Sequence, residues 1–484
     1  MKIDSKILLI VLLFFSLSLF AQKSRTAAMG GLSFSIRDLD ESFDPYTLGG
    51  NTAWLAESQK NARLEITPLQ NSSYGTYRRK YTAERINNYG VHFLDLKPLG
   101  VSGTFLGEAL YDYQIRFKNY RNLKFNPYAG EGFFFTDTTT GNTTYKGPMF
   151  RLSHSLRIYK NLYAGGGVRY QILNGLKDVY TFGETVYRNV EGDLGLAYQF
   201  SGGITIGASV HGTNSQERIE ASDVNLLTVR TFEWRGETHS IELRGSSQKY
   251  KITKAGEVFS GQIYYHPDEK LEIGVAADYG ISGSRFLYPE GSLVDVEDGY
   301  ASFDVTDIKA RARYQVTEKL LAGLSLGYTD YNSWSENSKR NLLIWEWRNR
   351  GAVLGFGGSY NVNKNFLIGV EIETELVSSD SSKYIDNRFR NIDVTNNTAR
   401  IGLEYYISND LALRSGYNFL SLAHDFLYGG DKVTEHLFTF GFGYNINNNI
   451  QLNGMASFAK RNGDEDKVYR SYLNWLFSIR FFTF

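Results

Sequence analysis

The 484-residue chain has no cysteine. Disulfides, thiol nucleophiles, thiolate metal sites and a lipid-bearing cysteine are therefore all excluded. Proline is scarce, at 7 residues, and histidine is as rare, at His92, His154, His211, His239, His266, His424 and His436. None of these sits in an H-E-x-x-H motif, and there is no G-x-S-x-G elbow. "LSHSLR" sets Ser153, His154 and Ser155 side by side, but successive strand residues point to opposite faces, so they form no nucleophile–base pair. The chain reads as a non-enzyme that needs no cofactor and no metal. "DVEDG" (Asp295 to Gly299) gathers three carboxylates, but its spacing is not that of an EF-hand loop, and a solvated acidic loop accounts for it. Charge of one sign is also missing: 52 basic residues balance 52 acidic ones. No basic tract marks a nucleic-acid partner. Beyond the first twenty-odd residues no apolar run approaches the roughly 20 residues of a membrane helix, which excludes a helical membrane protein.

That N-terminal stretch, "MKIDSKILLIVLLFFSLSLFAQ", has Lys2 and Lys6, an apolar centre and Ala21 before Gln22. It is the layout of a secretory signal over residues 1–21. Export without disulfides suits a bacterial cell envelope.

What the chain does contain is glycine and aromatics: 48 Gly, 34 Tyr and 32 Phe. From about residue 145 one unit recurs: an aromatic, a polar and an apolar residue, a tight polar turn, then an alternating glycine-rich strand. "LAYQFSGGITIGASV", "ARYQVTEKLLAGLSLGY" and "GYNINNNIQLNGMASF" are copies. Such repeats predict a meander of antiparallel hairpins. Turns inside each unit take a few residues, while the connections between units are long and polar, as in "NGLKDVYTFGETVYRN". Short turns on one rim and long ones on the other are the mark of an outer-membrane barrel, with the short side periplasmic.

"IKARARYQVTEKLLAGLSLGY" (Ile308 to Tyr328) poses the question of which face looks where. Apolar sets such as Leu194, Leu196, Tyr198 and Phe438, Phe440, Phe442 recur across the strands. Tyrosines stand just before the short turns and again at the far strand ends. Two tyrosine bands around an apolar belt fit a membrane and its two interfaces. The expected fold is therefore an all-β transmembrane antiparallel barrel of residues 61–484. It has about 18 strands, 16 or 14 being alternatives, with short periplasmic turns, long extracellular loops and both termini in the periplasm. Residues 22–60 precede it as a plug, or as a segment packed on the periplasmic rim. "VNLLTVRTFEWRGETHSIELRG", from Val224, reads as a hairpin rising above the membrane.

In this register the charges face the lumen. Lys309, Arg311 and Arg313 form one basic ladder, and Arg151, Arg157 and Arg169 lie on a neighbouring strand pair. Glu371, Glu373 and Glu375 form an acidic ladder, followed by Arg400, Glu404 and Arg414. Facing ladders would set a field across a water-filled bore; the alternative is that they pair and fill the interior.

"RTAAMGGLSFSIRDLDESFDPYTLGGNTAWLAESQ" (Arg25 to Gln59) resembles the start of long-chain fatty-acid transporter (FadL-type) barrels. Met29, Gly30, Gly31, Asn51, Ala53 and Leu55 match, and Thr52 stands where that pattern has proline. The resemblance implies a hatch inside the barrel, with Phe43, Trp54 and Leu55 as plugging contacts. Over most of the chain, "SSYGTYRRKYTAERINNYGVHFLDLKPLG", "YRNLKFNPY" and the hairpin series resemble a Bacteroidota outer-membrane barrel family of unknown function. The C-terminus, with Phe482 and Phe484, resembles the signal read by the barrel-assembly machinery. Arg480 and Ser478 interrupt its apolar register, which a bulge near Phe481–Phe482 would repair.

Two functions remain open. One is a channel or porin-like uptake protein with a charged lumen gated by its N-terminal segment. The other is a non-conducting barrel of an envelope complex that docks another outer-membrane or surface protein through its extracellular loops. Both place the chain in outer-membrane lipid.

Overall fold

A computed structural model describes residues 24–37, 48–58, 62–99, 103–179, 182–222, 228–290, 294–464 and 468–482. Residues 1–21, expected to be a secretory signal, and Phe43 and Phe484 lie outside these residues. The strands are β1 (Arg63–Gly75), β2 (Arg85–Pro98), β3 (Gly103–Asn122), β4 (Phe133–Tyr159), β5 (Leu162–Lys177), β6 (Phe182–Gln199) and β7 (Ile204–Ser222). The short β8 (Val229–Arg235) and β9 (His239–Gly245) come next. Then come β10 (Ser247–Asp268), β11 (Leu271–Glu290), β12 (Val294–Gln315), β13 (Leu320–Asn337), β14 (Leu342–Asn363) and β15 (Phe366–Lys383). The last are β16 (Arg388–Tyr406), β17 (Leu411–His424), β18 (Asp431–Asn447), β19 (Ile450–Asn462) and β20 (Tyr469–Phe482).

Neighbours pair antiparallel, β7 pairs directly with β10, and β1 closes on β20. The result is a closed barrel of 18 strands, with β8 and β9 as an extra hairpin. That hairpin is the segment foreseen from Val224. β8 pairs with the first five residues of β4, Phe133 to Asp137. The expected long outer connections are themselves mostly strand. Residues 174–177 at the end of β5, for example, pair with residues 183–186 at the start of β6. β4 alone has 27 residues, against roughly 9–11 needed to span a bilayer.

The period-two pattern decides the faces. Leu194 is 67 % and Phe440 63 % exposed on the outer wall, while Arg313 and Glu371 on the inner face are at 2 % and 0 %. Apolar residues thus look to lipid and charges look inward. His154 faces outward between the buried Ser153 and Ser155.

At the outer mouth, Leu123, Phe133 and Phe135 fold into the bore and form a core with Ile219, Tyr250, Phe286 and Ile344. Phe133 stacks on Phe286 at 4.1 Å and Phe135 on Tyr250 at 4.3 Å. One side of the mouth, along β7, β10, β11 and β14, is filled in this way. β3 accommodates the inward turn of the chain with register shifts at Arg116/Asn119 and Tyr120/Asn122, and Lys118 and Arg121 there have positive φ.

The C-terminal strand corrects one expectation. β20 runs against β1 and β19 with no register shift, so there is no bulge at Phe481–Phe482. Ser478 and Arg480 stand in the lumen register, fully buried, and Arg480 Nε donates to Glu65 across the β1–β20 closure at 2.9 Å. The polar residues that interrupt the apolar pattern serve the seam. Removing one partner of a buried pair costs about 3–5 kcal/mol. Glu65→Ala is therefore expected to lower the temperature at which the folded band converts to the unfolded one on a gel, whereas Trp475→Leu on the lipid face is not.

Candidate functional site

The N-terminal segment lies inside the barrel, near the rim of short turns. Helix α1 (Ser24–Ala28) sits against β17, β18 and β19. A 3-10 turn (Thr52–Trp54) and helix α2 (Leu55–Ser58) rest on β3 to β6. Residues 29–37 follow the inner wall from β18 past β15 to β12, and Gly49 meets β10.

Each contact has a local cause. Arg25 binds Glu404 through two nitrogens at 2.6 and 2.9 Å, and Glu404 also accepts from Arg414 at 2.7 Å. Thr439 Oγ1 donates to the Ala28 carbonyl at 2.7 Å and accepts the Gly30 N–H at 2.9 Å. The successive N–H groups of Ser33, Phe34 and Ser35 converge on Glu371 Oε1 at 2.8, 2.9 and 2.9 Å, as does the Ser35 hydroxyl at 2.9 Å. This is a backbone anion nest closed by a side chain of the wall. Arg313 holds the Ile36 carbonyl at 2.7 Å.

Asn51 caps the 3-10 turn, accepting from Ala53 N at 3.0 Å, and its Nδ2 donates to the Leu196 and Ala208 carbonyls. Thr52, in the place of proline, hydrogen-bonds Asp193 of the wall. Proline at a first helical position would supply the same backbone angle but no hydroxyl. Trp54 is buried with Ala53 and Ala197 against Tyr163 and Tyr264, and Leu55 with Leu94, Leu96 and Leu106.

Wall glycines make the room. A Cβ at Gly207 would lie 2.4 Å from Trp54 Nε1, one at Gly323 2.4 Å from the Phe34 carbonyl and one at Gly416 2.0 Å from Gly30 N.

Two cavities remain along the β1–β20 seam. The outer one, of about 400 Å³, lies beneath the outer connections and is lined by Arg79, Tyr81, Arg116, Tyr128, Tyr428 and Arg470 among others. The inner one, of about 440 Å³, is lined by His92, Glu108, Asp112, Arg169 and Arg400, and its floor is Ala27, Gly30 and Gly31 of the N-terminal segment. Leu437 and Asn474 line both, so the two chambers adjoin. Burial in the outer connections pushes the Tyr128 hydroxyl up to about 12, so it stays protonated and can donate.

The charges singled out in the sequence close into local networks. Glu108, Arg151, Arg169 and Glu191 stand directly opposite one another in turn across β3, β4, β5 and β6. Arg151 lies 3.6 Å from Glu108, and Arg169 3.3 Å from Glu191. Arg157 continues the register of Arg151 but lies exposed at the rim, where it donates to the Lys160 carbonyl. Lys309 pairs with Asp307, and Arg313 with Glu272 at 2.7 Å. Arg311 lies within electrostatic reach of Glu371 and Glu373. Arg400 bridges those two carboxylates at 3.5 and 3.4 Å, and Glu375 accepts from Asn396 at 2.9 Å. Phe482 ends β20 at the inner rim.

In "DVEDG", Asp295 pairs with Lys251, Glu297 with Arg285 and Asp298 with Arg235, so the three carboxylates do not converge. Sequence reading passed over Asn51 as a cap, Glu65, Glu272 and the pair Arg116 and Arg470. For Arg470 the signal was present: it shares the polar register of Asn474, Ser478 and Arg480.

A family described as the OmpA-like transmembrane domain matches residues 299–447, from the outer end of β12 to the end of β18. No curated protein matches the chain. Among solved structures, the toluene transporter TodX of Pseudomonas putida is similar at 12 % identity, covering 95 % of this chain and 97 % of that one, with a TM-score of 0.36. The toluene transporter TbuX of Ralstonia pickettii gives 12 %, 95 %, 97 % and 0.34. The ferric-catecholate import receptor Fiu of E. coli K12 gives 10 %, 88 %, 82 % and 0.46. With the apolar belt, the inward charges and the OmpA-like match together, the chain is an integral β-barrel of the bacterial outer membrane.

Proposed function

We propose that the protein is an uptake channel whose N-terminal segment closes the periplasmic end of the bore. One observation carries this reading: two adjoining chambers descend along the β1–β20 seam and stop at Ala27, Gly30 and Gly31 of that segment. The segment is held by groups that can let go, among them single side chains of the wall bonded to its backbone. A structural filler would need no continuous chambers above it. The lumen charges pair locally and leave polar walls past which a small solute can move.

The test is single-channel conductance of the purified protein in a planar bilayer, with and without residues 22–60. The full chain is expected to conduct little and the shortened one to give steady openings. If both stay silent, the barrel is a closed scaffold. Its outer extension, the β8–β9 hairpin above a cavity of about 530 Å³ lined by Arg235, His239 and Lys339, then becomes the place to look for a protein partner.

A further inference from the structure

The outer chamber carries more cation than the fold needs. Arg461 and Arg470 stand directly opposite each other on β19 and β20, both in the lumen register. Like charges in that relation oppose pairing. Arg461 is compensated by Glu435 at 2.7 Å and Asp425 at 3.0 Å. Arg470 is not. It is 2 % exposed, its Nη2 donates only to Ser73 at 2.7 Å, and Nε and Nη1 have no hydrogen-bond partner.

Arg116 and Arg79 line the same chamber. Their hydrogen bonds go to Gln114 and the Phe125 carbonyl, and to the Phe426 carbonyl. Neither has an ion pair among the described residues. Glu217, which accepts the Phe125 N–H, lies within electrostatic reach of Arg116. A buried guanidinium with open donors is costly unless an anion completes it.

The rest of the lining is aromatic. Tyr428 lies beneath both Arg461 and Arg470, each 5.6 Å from its centroid, and Arg79 lies 4.8 Å from that of Tyr128. Tyr81 packs on Tyr128 and Phe134, and its buried hydroxyl has no hydrogen-bond partner among the described residues. Arginine forks suit carboxylates, and rings offer faces to a flat apolar body.

We propose that the outer chamber binds a small aromatic carboxylate, its carboxylate at Arg470 and its ring among the tyrosines. The assignment names a cargo for the proposed uptake channel and rests on that reading, but the site can be tested without transport.

The probe is 4-fluorobenzoate, titrated by fluorine NMR into the full chain in lipid nanodiscs, with empty nanodiscs as blank. Saturable binding that unlabelled benzoate displaces is expected. Arg470→Gln should weaken it at least tenfold, as should Tyr428→Leu, which keeps every charge. Hexanoate and 4-fluorobenzyl alcohol should each bind at least tenfold more weakly than 4-fluorobenzoate. Equal binding of the alcohol removes the anion site, equal binding of hexanoate removes the ring site, and absence of saturation removes both. Unchanged affinity in Arg470→Gln also overturns the assignment. If that variant fails to fold, Arg79→Gln, in an outer connection, takes its place with the same expectation. A conducting, segment-deleted barrel that ignores benzoate rejects this site and leaves the channel standing. Benzoate binding in a barrel that never conducts keeps the site and rejects uptake.

Discussion

Glu371→Ala is expected to free the N-terminal segment from a barrel that stays folded. The carboxylate is fully buried and accepts three consecutive backbone N–H groups and the Ser35 hydroxyl. An alanine leaves all four donors without their acceptor and deprives Arg400 of one of its two carboxylates. Each orphaned buried donor costs about 1–3 kcal/mol, so the loss is on the order of 5 kcal/mol. A shift of that size turns a two-state equilibrium from almost wholly closed to almost wholly open. Glu371→Gln keeps one oxygen to accept and is expected to fall between. Two measurements check this. Limited proteolysis of the folded barrel should cut within residues 24–58 in the alanine variant and spare the parent. Single-channel recordings should show openings in the same order: alanine, glutamine, parent. A segment that stays protected in Glu371→Ala would mean the nest contributes little to its hold.

The barrel was legible in the sequence because its two faces meet different solvents. Lipid demands Leu194, Leu196 and Phe440 on one side of each strand, water and charge partners demand Arg311, Arg313 and Glu371 on the other, and period two makes the alternation visible. What stayed hidden depends on which strands meet. Glu371 looks like one member of an acidic ladder; that it binds the backbone of residues 33–35 is a contact between positions more than 330 residues apart. Arg480 looked like a flaw in an apolar register until β1 brought Glu65 beside it. The strand glycines were equally opaque. Alternation needs no glycine, and only the path of the segment along the wall reveals why Gly207, Gly323 and Gly416 carry no side chain.

That last relation gives a test of the gate which leaves every charge in place. Gly416 lies in β17, on the inner face, where an added Cβ would come within 2.0 Å of Gly30 N and 2.3 Å of the Met29 carbonyl carbon. The obstacle is backbone on both sides, so no rotamer relieves it. Gly30 has a φ of 77°, which suits glycine, and an added Cβ there would itself lie about 3 Å from the Ile401 and Tyr417 carbonyl oxygens, so the two backbones already run in close contact. The wall strand is paired on both edges with β16 and β18, whereas the segment is held by a few hydrogen bonds. The segment is therefore the part that yields. Overpacking costs about 1–3 kcal/mol where side chains can adjust, and that range alone shifts an equilibrium roughly 5- to 150-fold. Gly416→Val is expected to raise open probability at least fivefold, with the barrel's heat resistance on gels unchanged, because valine favours a strand. Gly261→Val, where an added Cβ meets nothing within 4 Å, is the control and should behave as the parent. If Gly416→Val stays closed and its segment stays protected from protease, the wall has bent instead, and the N-terminal segment is a fixed part of the barrel and no gate.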